Sequence, residues 1–232
     1  MTLLRRSLLA TILAVGACAS VFVPGDAQAS VSIAVGYDAL VKDADAVGVV
    51  TPVDAKTVWE EGRIVTYTHV KVDQGVAGEL GTGSDGWVRT LGGVVGKIGQ
   101  LVDGEPVFTA NKSSLVFMRK FKSSGTWEVS ARAQGQYPIV LDAADGAKPA
   151  GQRRVIRSTA VGMLLPPKAA APANVVTKTD PNGAAERVAQ IRLAGEVLHD
   201  RPLDEVTRDV AAQWKALHPA GVPAAPATDT KK

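Results

Sequence analysis

The chain has 232 residues, with 26 lysines and arginines against 23 aspartates and glutamates, and a single cysteine, Cys18. A net charge of +3, carried without any block of like charges, excludes the basic footprint of a nucleic-acid binder. One cysteine excludes a disulfide framework, so an apolar core must hold the fold together.

Residues 1–29 have the form of an export signal. Arg5 and Arg6 make a charged start, and Leu8 to Cys18 is an apolar run too short to anchor in a bilayer. Small residues at Ala27 and Ala29 predict cleavage before Ser30, which leaves a mature charge of about +2. Val15-Gly16-Ala17-Cys18 offers a second outcome, because it resembles the bacterial lipobox in which the cysteine is lipidated. Ala19 would then match the outer-membrane-sorted class. Both outcomes are extracytoplasmic: secreted or periplasmic in the first, an outer-membrane lipoprotein in the second. Contact with a membrane is expected only if Cys18 is lipidated.

From Ser30 the chain opens with a short apolar run. Tyr37, Leu40 and Val41 then follow at helical spacing, which predicts one or two turns of helix. Ala46 to Val53 is a β-branched run ending near Pro52 and predicts a buried strand. After a turn at Glu60-Glu61-Gly62-Arg63, residues 64–72 alternate. Ile64, Thr66, Thr68, Val70 and Val72 share one face; Val65, Tyr67, His69 and Lys71 share the other. Gly75 to Gly86 is glycine-rich and predicts a loop. Trp87 to Leu91 predicts a strand entering Gly92-Gly93-Val94-Val95-Gly96-Lys97-Ile98-Gly99-Gln100, a segment expected to bend between strands. Further strands are expected at Leu115–Met118, Thr126–Ala133, Tyr137–Leu141 and Arg154–Val161.

Strand follows strand at short spacing over residues 30–166. This predicts a mainly β domain: an OB-like antiparallel barrel or a small β-sandwich. The Pro/Ala-rich stretch 167–180 reads as a linker. A C-terminal α-helical pair is expected over 181–217. Asp180-Pro181 starts its first member, and Leu203, Val206, Val210, Trp214 and Leu217 form an apolar stripe on the second that needs a partner surface. The tail, 218–232, has the composition of a disordered segment.

Catalytic signatures are missing from the sequence. Gly96-Lys97 has Leu91 where a phosphate loop needs its first glycine and Ile98 where it needs a hydroxyl. The histidines, His69, His199 and His218, lie far apart, so neither a metal nor a cofactor is expected. Ser84 lacks the glycine that a nucleophile elbow requires. A hydrolase would therefore have to be built on His69, the only histidine of the β-domain. The residues best placed to meet a protein partner are Arg89, Gly92, Gly93, Gly96, Lys97 and Gln100, and the expected role is a non-enzymatic binding or accessory module. Solvation of an edge strand by those same charges is the competing explanation.

Ala44-Asp45-Ala46-Val47-Gly48-Val49-Val50, Tyr67 to Gly78, Val88-Arg89-Thr90 and Ser114-Leu115-Val116-Phe117-Met118 together resemble the netrin/TIMP-like family of OB-fold modules over about residues 44–133. The resemblance implies a five-stranded barrel and, as an alternative role, inhibition of a secreted protease. The family's cysteines, including the N-terminal one that chelates a protease's metal in the inhibitors, are absent here. The whole chain also resembles secreted bacterial proteins that share the G-G-x-x-G-x-I-G-Q segment, which implies no activity.

Overall fold

The computed structural model describes residues 31–121, 125–141, 151–167 and 191–219. The export signal, most of the 167–180 linker, residues 181–190 of the expected first helix and the tail beyond 219 lie outside them. The fold is mainly β, with a large multi-strand sheet and a few C-terminal helices. In chain order the elements are β1 (Val31–Ile33), α1 (Tyr37–Asp43), β2 (Ala46–Glu60), β3 (Arg63–Gly78) and β4 (Asp85–Leu91). Next come β5 (Gly93–Val95), β6 (Ile98–Gln100), β7 (Ser114–Phe121), β8 (Thr126–Val129), β9 (Gln136–Leu141) and β10 (Arg153–Val155). β11 (Met163–Leu165), α2 (Ala194–Leu198), β12 (Arg201–Pro202) and α3 (Leu203–Leu217) complete the described chain. Among the described residues no helix is long and apolar enough to cross a membrane.

The sheet runs β12-β10-β9-β7-β2-β3-β4-β8, and β7 also pairs with β8. Most contacts are antiparallel, as the short connections predict, but β4–β8 and β1–β11 are parallel. β2 does not end at Pro52. Register shifts at Val47/Gly48, Val49/Val50 and Pro52/Asp54 bend the strand and let it pass the proline, so that the β2–β3 ribbon reaches Glu60 and Arg63.

Two buried clusters share the sheet. Val47, Val49, Leu115 and Phe117 join Tyr37, Leu40 and Val41 of α1 and Leu203, Val206 and Val210 of α3. On the opposite face Val50, Val70, Val72, Val88, Val116, Met118 and Val129 form the second cluster. This explains why β7 is continuously apolar: Leu115 and Phe117 face the helices while Val116 and Met118 face the other core. The stripe on α3 thus finds its partner surface. Burying Leu203, Val206 and Val210 contributes about 1.5–3 kcal/mol each before entropy is set against it. Trp214 and Leu217 pack at the rim of the same cluster.

Three expected elements differ in extent. The loop of residues 75–86 shrinks to 79–84, because β2 remains available as a partner and pairs Gly48 with Gly75 and Ala46 with Gly78. The strand expected to reach Ala133 stops at Val129. Ala131 and Arg132 turn left-handed, at φ 54° and 57°, into a 3-10 turn over Arg132–Gly135. The last strand keeps only Arg153–Val155. Beyond it the Ile156 amide donates to the Pro138 carbonyl, the Arg157 amide donates to His199 Nδ1, and the Ser158 hydroxyl caps the 3-10 turn Thr159–Val161.

Candidate functional site

β3 extends two residues, Ile64 and Arg63, beyond its pairing with β4, where Val65 meets Leu91. Ile64 is fully buried, so its amide and carbonyl both need partners. The glycine segment supplies them. The Gly92 amide donates to the Ile64 carbonyl at 2.7 Å, and Gln100 Oε1 accepts from the Ile64 amide at 2.7 Å. Thr66 Oγ1 donates to the Gly92 carbonyl at 2.7 Å. Between these anchors β5 and β6 form a hairpin, pairing Gly93 with Gln100 and Val95 with Ile98 across the turn at Gly96-Lys97. Gly93 lies so close to Thr66 and Thr57 that a Cβ would come within 2.4 Å of the Thr66 hydroxyl. The expected bend is therefore a two-residue hairpin, bolted to the end of the β2–β3 ribbon.

The anchored hairpin displays apolar side chains instead of burying them. Val94 is 66% exposed, Ile98 55% and Leu101 91%; Trp59, paired with Ile64 at the end of β2, is 51% exposed. Lys97 at the tip and Arg63 at the ribbon end are exposed and have no acidic partner among the described residues. The structure thus brings Gly92, Gly93, Gly96, Lys97 and Gln100 into one unit, with roles divided among them. Gln100 and the first two glycines anchor it, and Lys97 meets solvent.

Arg89 belongs elsewhere. It pairs with Tyr67 on the face of β3 that also carries His69, and its guanidinium bonds Glu60 at 2.9 Å and Glu128 at 3.1 Å above the Phe121 ring. Burial is the largest influence and disfavours the Arg89 charge, but the hydrogen bonds and charge attraction of Glu60 and Tyr67 together outweigh it and hold the group above its ordinary value. The Tyr67 hydroxyl donates to the same Glu60 carboxylate. Arg89 ties the strands together through this network, which leaves its charge engaged inside the molecule.

His69 hydrogen-bonds Asp85 at 2.6 Å through Nε2 and stacks on Trp87 at 4.8 Å. The Lys56 ammonium lies 4.7 Å from the centre of the Trp87 ring. Ser84, the nearest serine in sequence, donates its hydroxyl to the Gly81 carbonyl at 2.6 Å. No serine hydroxyl bonds His69 among the described residues, and none of the described acidic, histidine or cysteine side chains form a metal-holding group. Residues that the sequence left unmarked are Trp59, Ile98 and Leu101, and a cleft residue, Arg157. Only the apolar character of Ile98, next to Gly99, signalled exposure on a thin hairpin. No family model, no curated protein and no solved structure matches this chain.

Proposed function

We propose that the chain is an exported, non-enzymatic binding module, built on an OB-like barrel, that engages a protein partner through the β5–β6 hairpin and Trp59. The barrel part of this proposal is supported by the pairing ring β7–β2–β3–β4–β8–β7, with its one parallel contact at β4–β8. The functional part is carried by one observation. Val94 and Ile98 stand exposed on a hairpin whose backbone is fixed at both ends by hydrogen bonds to Ile64, with Leu101 exposed just after it and Trp59 exposed on β2. Exposed apolar side chains on a hydrogen-bonded support favour recognition, since they cost solubility and bind with little loss of conformational entropy. Lys97 and Arg63 beside it favour a partner with an acidic rim around an apolar recess.

The test places a photocrosslinking residue at Ile98 and irradiates the protein in an envelope preparation from its host. A discrete protein adduct is expected, weakened about tenfold or more by Leu101→Glu, since a buried leucine is worth about 1.5–3 kcal/mol. Absence of an adduct, or one indifferent to Leu101→Glu, would refute the proposal. An adduct between two copies of the chain would redirect it to self-association.

A further inference from the structure

A concave surface lies where β1 and β11 meet α2, and no hairpin residue lines it. Its floor is Ala34-Val35, stitched on one side to β11, where the Ala34 amide donates to the Leu165 carbonyl at 2.8 Å. On the other side the Val35 carbonyl accepts from the Ala194 amide at 3.0 Å. The walls are the 3-10 turn after Ser158, the β11 strand, and the stretch Leu193–His199. The enclosed space is about 760 Å³, within the range of small-molecule sites and far larger than an ion requires.

The lining is divided by chemistry. Val35, Val161, Leu164, Leu165 and Leu193 make it apolar over most of its length. Arg157 and His199 both belong to the lining and are joined through the Arg157 backbone amide. His199 Nδ1 accepts the Arg157 amide at 3.0 Å, so the neutral ring carries its proton on Nε2 and keeps a donor for a ligand. The Arg157 side chain crosses Gly195, where a Cβ would come within 3.2 Å of its Cδ. Arg157 has no acidic partner among the described residues, in contrast to Arg154, which bonds Asp200 at 2.9 Å. Gln134 contributes no ligand group, since its amide bonds the backbone of Ile33 and Val35. Glu196, exposed on the rim, is the one opposing charge in the lining.

We infer that this cleft is a binding site for a small amphipathic carboxylate, its head on Arg157 and His199 Nε2–H and its apolar body along Val35, Val161 and Leu164. A guanidinium offers a carboxylate two parallel donors, and the imidazole N–H adds a third from a fixed direction. The inference is independent of the hairpin and of any partner bound there.

The experiment titrates octanoate into the full chain by calorimetry and by amide NMR, with n-octanol and octyltrimethylammonium as neutral and cationic counterparts. Octanoate is expected to saturate a single site, shifting the Gly162, Leu164 and Gly195 amides and leaving the β5–β6 hairpin unmoved. Octanol should bind at least tenfold more weakly, and Arg157→Gln should weaken octanoate about tenfold, the effect of one charge-assisted hydrogen bond at a partly exposed site. Glu196→Gln should tighten it roughly two- to threefold by removing a like charge. No octanoate binding, octanol binding as well as octanoate, or shifts confined to another surface would overturn the assignment. The comparison with octanol uses the unaltered protein and stands whether or not Arg157→Gln folds.

Discussion

Gly93→Ala tests whether the hairpin is an anchored platform or a loose arm. Gly93 sits at φ 128°, outside the wells an L-residue favours, and forcing alanine there costs about 1–3 kcal/mol. Its new Cβ would lie 2.4 Å from Thr66 Oγ1 and 2.7 Å from Thr57 Cγ2, an overlap that costs a further 1–3 kcal/mol or so to relieve. Moving Thr66 also disturbs its hydrogen bond to the Gly92 carbonyl, worth about 1 kcal/mol. The expected loss is about 3–7 kcal/mol in total, a large share of the stability of a domain this size. Gly96→Ala is the internal control. Gly96 has φ 61° but nothing within 4 Å of a built Cβ, so only the left-handed conformation is penalised, at about 1–2 kcal/mol. Urea denaturation of both variants gives the difference as a shift in midpoint at unchanged slope. Equal, mild shifts would show that the packing of Gly93 against Thr57 and Thr66 is not maintained in solution, and the rigid display on which the proposed function rests would go with it.

Two further predictions concern the helical side. Tyr37 is 3% exposed and its buried hydroxyl has no hydrogen-bond partner among the described residues, so Tyr37→Phe should leave stability unchanged or raise it by about 1 kcal/mol. Burial, with Asp209 nearby, raises the Tyr37 phenol to about 12. A raised value favours the neutral group in the fold, so its contribution is complete below pH 10 and lost as pH rises through about 12. Wild type should accordingly lose stability more steeply than Tyr37→Phe in chemical denaturation series between pH 10 and 12; parallel curves would refute the assignment. Leu203→Ala should cost about 2–5 kcal/mol in thermal or urea melts, because Leu203 is buried at the head of α3 in the cluster shared with the sheet. A loss under 1 kcal/mol would mean that α3 is not held there.

How far the sequence could be followed depended on where the deciding interaction lay. The alternation of residues 66–72 and the stripe on α3 were plain because one side of each element is more deeply buried than the other, which imprints a period on the residues themselves. β7 was visible as a strand, yet its unbroken apolar run did not reveal that it separates two cores. The glycine segment was legible as a bend and illegible as a site. Its anchors are backbone groups of Ile64, which no side-chain pattern announces, and Gln100 acts there as a substitute for a missing strand residue. Arg89 looked like a neighbour of Lys97 because they are eight residues apart in sequence. The register places Arg89 beside Tyr67, one strand face away from the hairpin, among carboxylates contributed by Glu60 and Glu128. The cleft was hidden for a related reason: the Arg157 amide meets a His199 ring that lies 42 residues further along the chain.

The two candidate surfaces are joined by the strands between them. β2 and β7 each bury residues on both faces, Val47 and Val49 or Leu115 and Phe117 toward the helices, Val50 or Val116 and Met118 toward the second core. Neither layer can be stripped without exposing the apolar face of the same two strands to water, at about 25 cal/mol for each square ångström uncovered. The same β2 runs on past Pro52 to carry Trp59 and also Thr57, against which Gly93 of the hairpin rests. Helices packed on one end of a strand thereby hold the platform at the other end. This arrangement accounts for a glycine-rich hairpin of six paired residues keeping a fixed shape while most of its apolar side chains stay in solvent.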